Sequence, residues 1–200
     1  MSKFYLGIDQ SQRCSGFVLL NSKGELHASK IVASTLSGLE EMLIFQFSEL
    51  CSFIDTYVDS DEDEVFGLIE GLAMRGAGNY LTFAAALQAY YRTRFLTLYG
   101  NHLGTVPVTM WRSKVLTKEE QREAKAAGTD GLKWAVFNKL PATTRKQYAD
   151  YVEEMKDEIN MAKDSKLKPG SKSKKYVDAL QDLADAYFIA KFCFNLSTTK

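Results

Sequence analysis

The sequence predicts an α/β fold. The expected architecture is a mixed sheet of three antiparallel strands plus parallel strands, flanked by helices, with a helical and basic elaboration in the C-terminal half. Three observations carry this. Two apolar runs, 4–8 and 17–20, flank a short polar stretch, the pattern of an antiparallel pair. A helix-spaced segment, 38–58, leads to a short apolar run, 65–69, which a crossover would lay parallel to the first strand. The chain closes on an apolar-rich helix, 176–196.

The elements follow in order. Residues 4–8 combine aromatic and branched side chains, which suit a buried strand. Gly16 is read as the point where the chain turns back into 17–20. Asn21-Ser22-Lys23-Gly24 is a turn signal, and 25–33 alternates loosely as a third strand. In 38–58, Leu39, Met42, Leu43, Phe47, Leu50, Ile54 and Tyr57 recur at helical spacing, so one face covers the sheet. The acidic run 59–64 reads as its solvated exit. Residues 80–99 return to helical spacing, and 105–109 reads as a further strand that Pro107 confines to an edge. Beyond Met110, candidate helices cover 111–116, 118–127, 130–140 and 143–162, with a cap signal at Thr117-Lys118-Glu119-Glu120. Residues 163–175 hold six lysines with Pro169 and Gly170, a basic loop that reads equally as a solvated linker or a phosphate contact. No repeat or linker divides the chain, and 1–200 reads as one domain.

Composition removes several function classes. Hydrophobic residues are 46% and aromatics 12%, so a packed core is expected. Lys plus Arg and Asp plus Glu are 25 each, so net charge argues for no partner, although local clusters of either sign still can. Three widely spaced cysteines, 14, 51 and 193, give neither a disulfide framework nor a zinc site. No secretory leader is evident and no apolar run approaches a membrane span, so a cytoplasmic setting is expected.

The chemistry lies in carboxylates. Asp9 follows the first strand and Glu70 ends the strand after the crossover. Asp178, Asp182 and Asp185 fall on one side of the last helix at i, i+4 and i+7. Asp178, near the helix start, reads as solvated and favoured by the macrodipole. Asp182 and Asp185 sit among core residues, where like charges repel unless a cation neutralises them. Asp9, Glu70, Asp182 and Asp185 converging without His or Cys would select a hard divalent cation, Mg²⁺ or Mn²⁺. Two such ions support an in-line phosphoryl displacement.

These motifs resemble the RuvC-like Holliday junction resolvases of the RNase H-like nuclease superfamily. Gly7-Ile8-Asp9-Gln10-Ser11 is similar to the family's opening motif, with Gln10 and Ser11 replacing its Pro and Gly. Ile69-Glu70 with the Gly- and Asn-bearing loop after it resembles the second motif. Asp182-Leu183-Ala184-Asp185-Ala186 resembles the terminal helix. The resemblance implies that Asp9, Glu70, Asp182 and Asp185 bind two Mg²⁺, with Asp9 bridging, Mn²⁺ substituting. It implies a homodimer that nicks two strands of a four-way DNA junction, leaving 5′-phosphate and 3′-hydroxyl ends, with the 80–99 helix as a candidate dimer surface. It implies a basic side chain near the Asp pair, for which Lys174, Lys175 and Lys191 are candidates. It makes Arg75 and Asn79 candidates for probing the junction centre, with Lys172, Lys174 and Lys175 on DNA phosphates. Tyr80 reads either as a base-stacking residue or as core.

Two further readings stand beside this one. The same fold and acids serve a nuclease of RNA, hybrids or other branched DNA. A non-catalytic junction-binding module would need no acids, and none of the four is missing.

Overall fold

The computed structural model describes residues 2–11, 13–36, 38–59, 61–71, 78–128, 130–164 and 175–199, with the backbone alone for 78–84, 163–164 and 175–177. Five strands form one sheet in the order β3-β2-β1-β4-β5. They are β1 (Lys3–Asp9), β2 (Cys14–Leu20), β3 (Leu26–Ala33), β4 (Glu64–Glu70) and β5 (Leu103–Val106). β1, β2 and β3 pair antiparallel, while β4 runs parallel to β1 and β5 parallel to β4. The expected mixed sheet is therefore present.

The helices among the described residues are α1 (Leu39–Tyr57), α2 (Gly78–Tyr99), α3 (Val108–Val115), α4 (Lys118–Ala126), α5 (Gly131–Asn138), α6 (Ala142–Glu154), α7 (Lys156–Asp164) and α8 (Lys175–Thr198). The crossovers through α1 and α2 are what place β4 and β5 parallel.

Strand alternation divides the core in two. Phe4, Leu6 and Ile8 of β1 join Phe17 and Leu19 of β2 against Leu50, Phe53 and Ile54 of α1 and Leu87, Tyr91 and Phe95 of α2. Tyr5, Val18 and Leu20 face the other way, onto Leu183, Ala184, Ala186 and Ala190 of α8. Period-two geometry puts Gly7 and Asp9 on that second face too. The helices α3 and α5–α7 add Trp111, Val136, Tyr148, Val152 and Ile159 to the same cluster. Helices α3 and α5–α7 thus form the layer around α8.

Several expectations change. Gly16 lies within β2 opposite Asp9 and has no positive φ, so it makes no turn. Its role is close approach: a Cβ there would stand 2.6 Å from the Asp182 carbonyl oxygen of α8. The β5 strand ends at Val106, and Pro107 caps α3 with φ of −61°, the angle its ring imposes. The long helix 143–162 is two helices, interrupted at Met155, which no Gly or Pro marks. The basic stretch begins inside α7 and ends at the start of α8; 165–174 lies outside the described residues. The capping box at Thr117 and Glu120 is present, as expected. Among the described residues no helix is long and apolar enough to cross a membrane.

Candidate functional site

Asp9 and Glu70 end neighbouring parallel strands. Ile8 pairs with Ile69, so the next step along each strand brings the two acids side by side. Glu70 in turn pairs with Val106 on β5. A central strand end is stiff, because both flanking ladders fix its backbone. The Glu70 main-chain carbonyl also accepts from Gln88 Nε2 at 2.6 Å and from Gln10 Nε2 at 3.4 Å.

The loop after Asp9 is held from below. Gln46 of α1 is fully buried and donates Nε2 to the Ser11 carbonyl at 2.8 Å. Its Oε1 accepts from the Ser15 hydroxyl at 2.9 Å and lies 3.5 Å from the Tyr91 hydroxyl. A buried amide is tolerable here because both its ends are satisfied.

The last helix completes the cluster. α8 crosses β1 and β2 where they carry Gly7 and Gly16. A Cβ on Gly7 would collide with the Ala186 carbonyl oxygen and the Ala190 nitrogen. This close seat sets Asp182 and Asp185, three residues apart on one helix face, beside the strand ends. Asp9, Asp182 and Asp185 are 9%, 8% and 3% exposed. Asp178 is exposed at the open end of the helix.

Electrostatics show that the four acids sense one another. Burial, then Glu70, Asp182 and Asp185, push the Asp9 carboxyl well above the usual range. Burial raises Glu70 as well, opposed by Arg112 and by hydrogen bonds from Asp9 and Trp111. Burial and then Glu70 raise Asp185 to about 7, against Arg112 and Lys133. One Asp185 oxygen, Oδ1, is buried without a hydrogen-bond partner.

Two cations approach the cluster. Arg112 Nη2 of α3 stands 3.5 Å from Asp185 Oδ2, and Lys133 Nζ of α5 stands 3.6 Å from Asp182 Oδ1. Burial tends to lower the Lys133 pKa, but Asp182, Asp9 and Asp185 together raise it, so this amine is charged at neutral pH. Trp111 donates its indole Nε1–H to Glu70 Oε1 at 3.3 Å.

The donor set suits a hard divalent ion: four carboxylates, one of which, Asp185, has a buried oxygen without a hydrogen-bond partner. In the described conformation, however, no group of three or more His, Cys, Asp or Glu among the described residues is arranged to hold a metal ion. Lys133 and Arg112 meet the outer two acids instead.

The four predicted acids are therefore brought together, while the predicted basic residues are not seen with them. Lys191 is displaced to the other end of the sheet. Its Nζ donates to the Gly24 carbonyl at 3.0 Å and lies 5.0 Å from the Phe194 ring centroid, by the β2–β3 turn. Arg75, Lys172 and Lys174 lie outside the described residues. Asn79, Tyr80 and Lys175 are described by backbone alone, in α2 and α8. Lys133, Arg112 and Trp111 were not singled out from the sequence. One signal existed: in Gly131-Leu132-Lys133-Trp134-Ala135-Val136-Phe137, Lys133 is a lone cation in an apolar helix, and such a residue needs a counter-charge.

No protein-family model matches the chain. No curated protein matches it either. The chain is similar to a solved structure of T. thermophilus RuvC in complex with Holliday junction substrate, at TM-score 0.57 and 10% sequence identity over 98% of this chain and 96% of that one. A second solved structure, Thermus thermophilus RuvC, aligns at TM-score 0.44 and 14% identity over 96% of each chain. The first of these likenesses shows the RuvC-like RNase H fold.

Proposed function

We propose that this chain is a divalent-metal-dependent endonuclease acting on branched DNA, with four-way junctions as its substrate. The observation that supports it most is the gathering of Asp9, Glu70, Asp182 and Asp185 from β1, β4 and α8 into one electrostatically coupled cluster at the strand ends. The fold is shared with a RuvC solved on a Holliday junction.

In this reading Asp9, Glu70, Asp182 and Asp185 would hold Mg²⁺ or Mn²⁺, two ions per site. When bound, such ions activate water for attack on the phosphodiester and stabilise the leaving 3′ oxygen. Lys133 and Arg112, freed from Asp182 and Asp185, supply positive charge to the scissile phosphate. The products are 5′-phosphate and 3′-hydroxyl ends. The lysines of 163–175, with Arg75 and Asn79, carry the DNA arms and the junction centre. Two copies pair through α2, so that two strands are nicked.

A second reading has a specific observation behind it. The ion pairs of Asp182 with Lys133 and Asp185 with Arg112 neutralise the cluster without metal, as a non-catalytic junction-binding module would. One experiment separates the two. A synthetic four-way junction is incubated beside linear duplex, flap and RNA–DNA hybrid, with Mg²⁺, Mn²⁺ or EDTA. Paired metal-dependent nicks in the junction are expected. Junction binding without cleavage selects the module, and cleavage confined to the hybrid moves the substrate to RNA.

A further inference from the structure

We infer that Trp111 is a positioning residue for Glu70: its indole N–H fixes one carboxylate oxygen and thereby sets how well the site binds a divalent cation. The inference rests on the metal-dependent reading above.

The contact is specific. Trp111 is fully buried, and its Nε1 donates to Glu70 Oε1 at 3.3 Å. Pro107 starts α3 directly after β5, and β5 pairs with β4 at Glu70 and Val106. The indole is thus delivered beside Glu70 by the adjacent strand. The Glu70 main chain is already anchored by Gln88 and Gln10. The indole adds a restraint on the side chain.

The chemistry of the donor matters. An indole N–H orients a carboxylate without cancelling its charge. A lysine or arginine at that position would compete with a metal ion for the same oxygens. The following residue shows the contrast: Arg112 stacks its guanidinium 5.0 Å from the Trp111 ring centroid and takes a charged contact to Asp185. One turn of α3 therefore grips two acids, one through a neutral donor and one through a cation. Donors behind metal ligands are worth about 10–100-fold in metal affinity.

The test is Mg²⁺ binding by calorimetry on the full chain, for the parent, Trp111→Phe, Glu70→Gln and the double variant. Trp111→Phe keeps the ring and loses the N–H. We expect roughly 10-fold weaker Mg²⁺ binding in Trp111→Phe and no further loss when that change is added to Glu70→Gln. A second measurement leaves Trp111 in place. The chain has two tryptophans, so Trp134→Phe leaves Trp111 as the sole emitter. Its emission should shift on Mg²⁺ addition with the calorimetric midpoint. Parental affinity in Trp111→Phe beside weakened binding in Glu70→Gln overturns the role of Trp111 and leaves the metal site standing; so does emission that stays constant to saturation. A parent that binds no Mg²⁺ overturns the metal reading itself, and this inference with it.

Discussion

Gly16 lies directly beneath Asp182: there is no room for a side chain between β2 and the α8 backbone, because a Cβ at Gly16 would stand 2.6 Å from the Asp182 carbonyl oxygen. Gly7 stands in the same relation to Ala186. These two glycines set the height of α8 above the sheet, and so the distance of Asp182 and Asp185 from Asp9. The clashing atoms are backbone, so a substituted chain must lift the helix. Gly16→Ala should destabilise the protein by about 1–3 kcal/mol, the usual range for overpacking. Cleavage should fall further than stability does, because the acids separate. Denaturant midpoints and junction cleavage measured on the same preparation check both.

The raised carboxylates fix the sign of a pH effect. Asp9 and Asp185 hold protons more tightly in the folded state than in the unfolded chain, Asp185 to about 7. Their contribution to stability is full below the unfolded carboxylate range, near ~4, and is lost as pH rises through the folded values. Without divalent ions, the melting temperature should drop between about pH 5 and about pH 8. Mg²⁺ binds the ionised form, so its stabilising effect should be larger at the higher pH. Melting curves in EDTA and in Mg²⁺ across this range test it; a metal effect that does not vary with pH counts against the coupled cluster.

Asp9→Asn carries the same logic into a single position. The amide is neutral, like the protonated acid, and can still donate to Glu70. In EDTA above neutral pH this variant should melt higher than the parent. Cleavage should fall to background, while junction affinity stays close to that of the parent because no basic residue has changed. Mg²⁺-dependent nicking that persists in Asp9→Asn would refute the role given to Asp9.

Lys133 separates stability from activity. Its ion pair with Asp182 is 3.6 Å long and its side chain is 41% exposed. Screened pairs of that kind are worth below about 1 kcal/mol. Lys133→Met should therefore shift the melting temperature little. A cation supplied to developing charge in a site is worth far more, so cleavage should drop by roughly 100-fold. Rates under saturating junction, beside the melting curves, check the split.

The four acids were legible because strand ends and helix spacing are local signals. Asp9 and Glu70 stop apolar runs, and Asp182 and Asp185 interrupt an apolar helix where a charge has no local excuse. The layer order followed from the same periodicities. Gly16 was misread because its demand comes from α8, more than 160 residues away in sequence, and not from its own backbone angles. Trp111 and Arg112 were illegible for a related reason, and Lys133 gave only the signal of a lone cation in an apolar helix, with no partner named. Their partners are reached only when α3 and α5 dock, and a Trp or Lys on a helix is equally at home in core or solvent. The break at Met155 carries no Gly, Pro or cap signal in the sequence, and the two helices it separates both pack on α8.

The basic stretch offers the last test. Lys172 and Lys174 fall outside the described residues, and Lys175 opens α8. That start lies about two helical turns before Asp182. Lysines on DNA phosphates release counterions, and each contact contributes about 0.9 to the slope of log affinity against log salt. Replacing Lys172, Lys174 and Lys175 with Gln should weaken junction binding at moderate salt and flatten that slope by up to roughly 0.9 per lysine. Melting temperature is the control and should not change. Binding titrations over a salt series supply the slope. An unchanged slope would make this stretch a linker and move the DNA contacts to the helices α3 to α5.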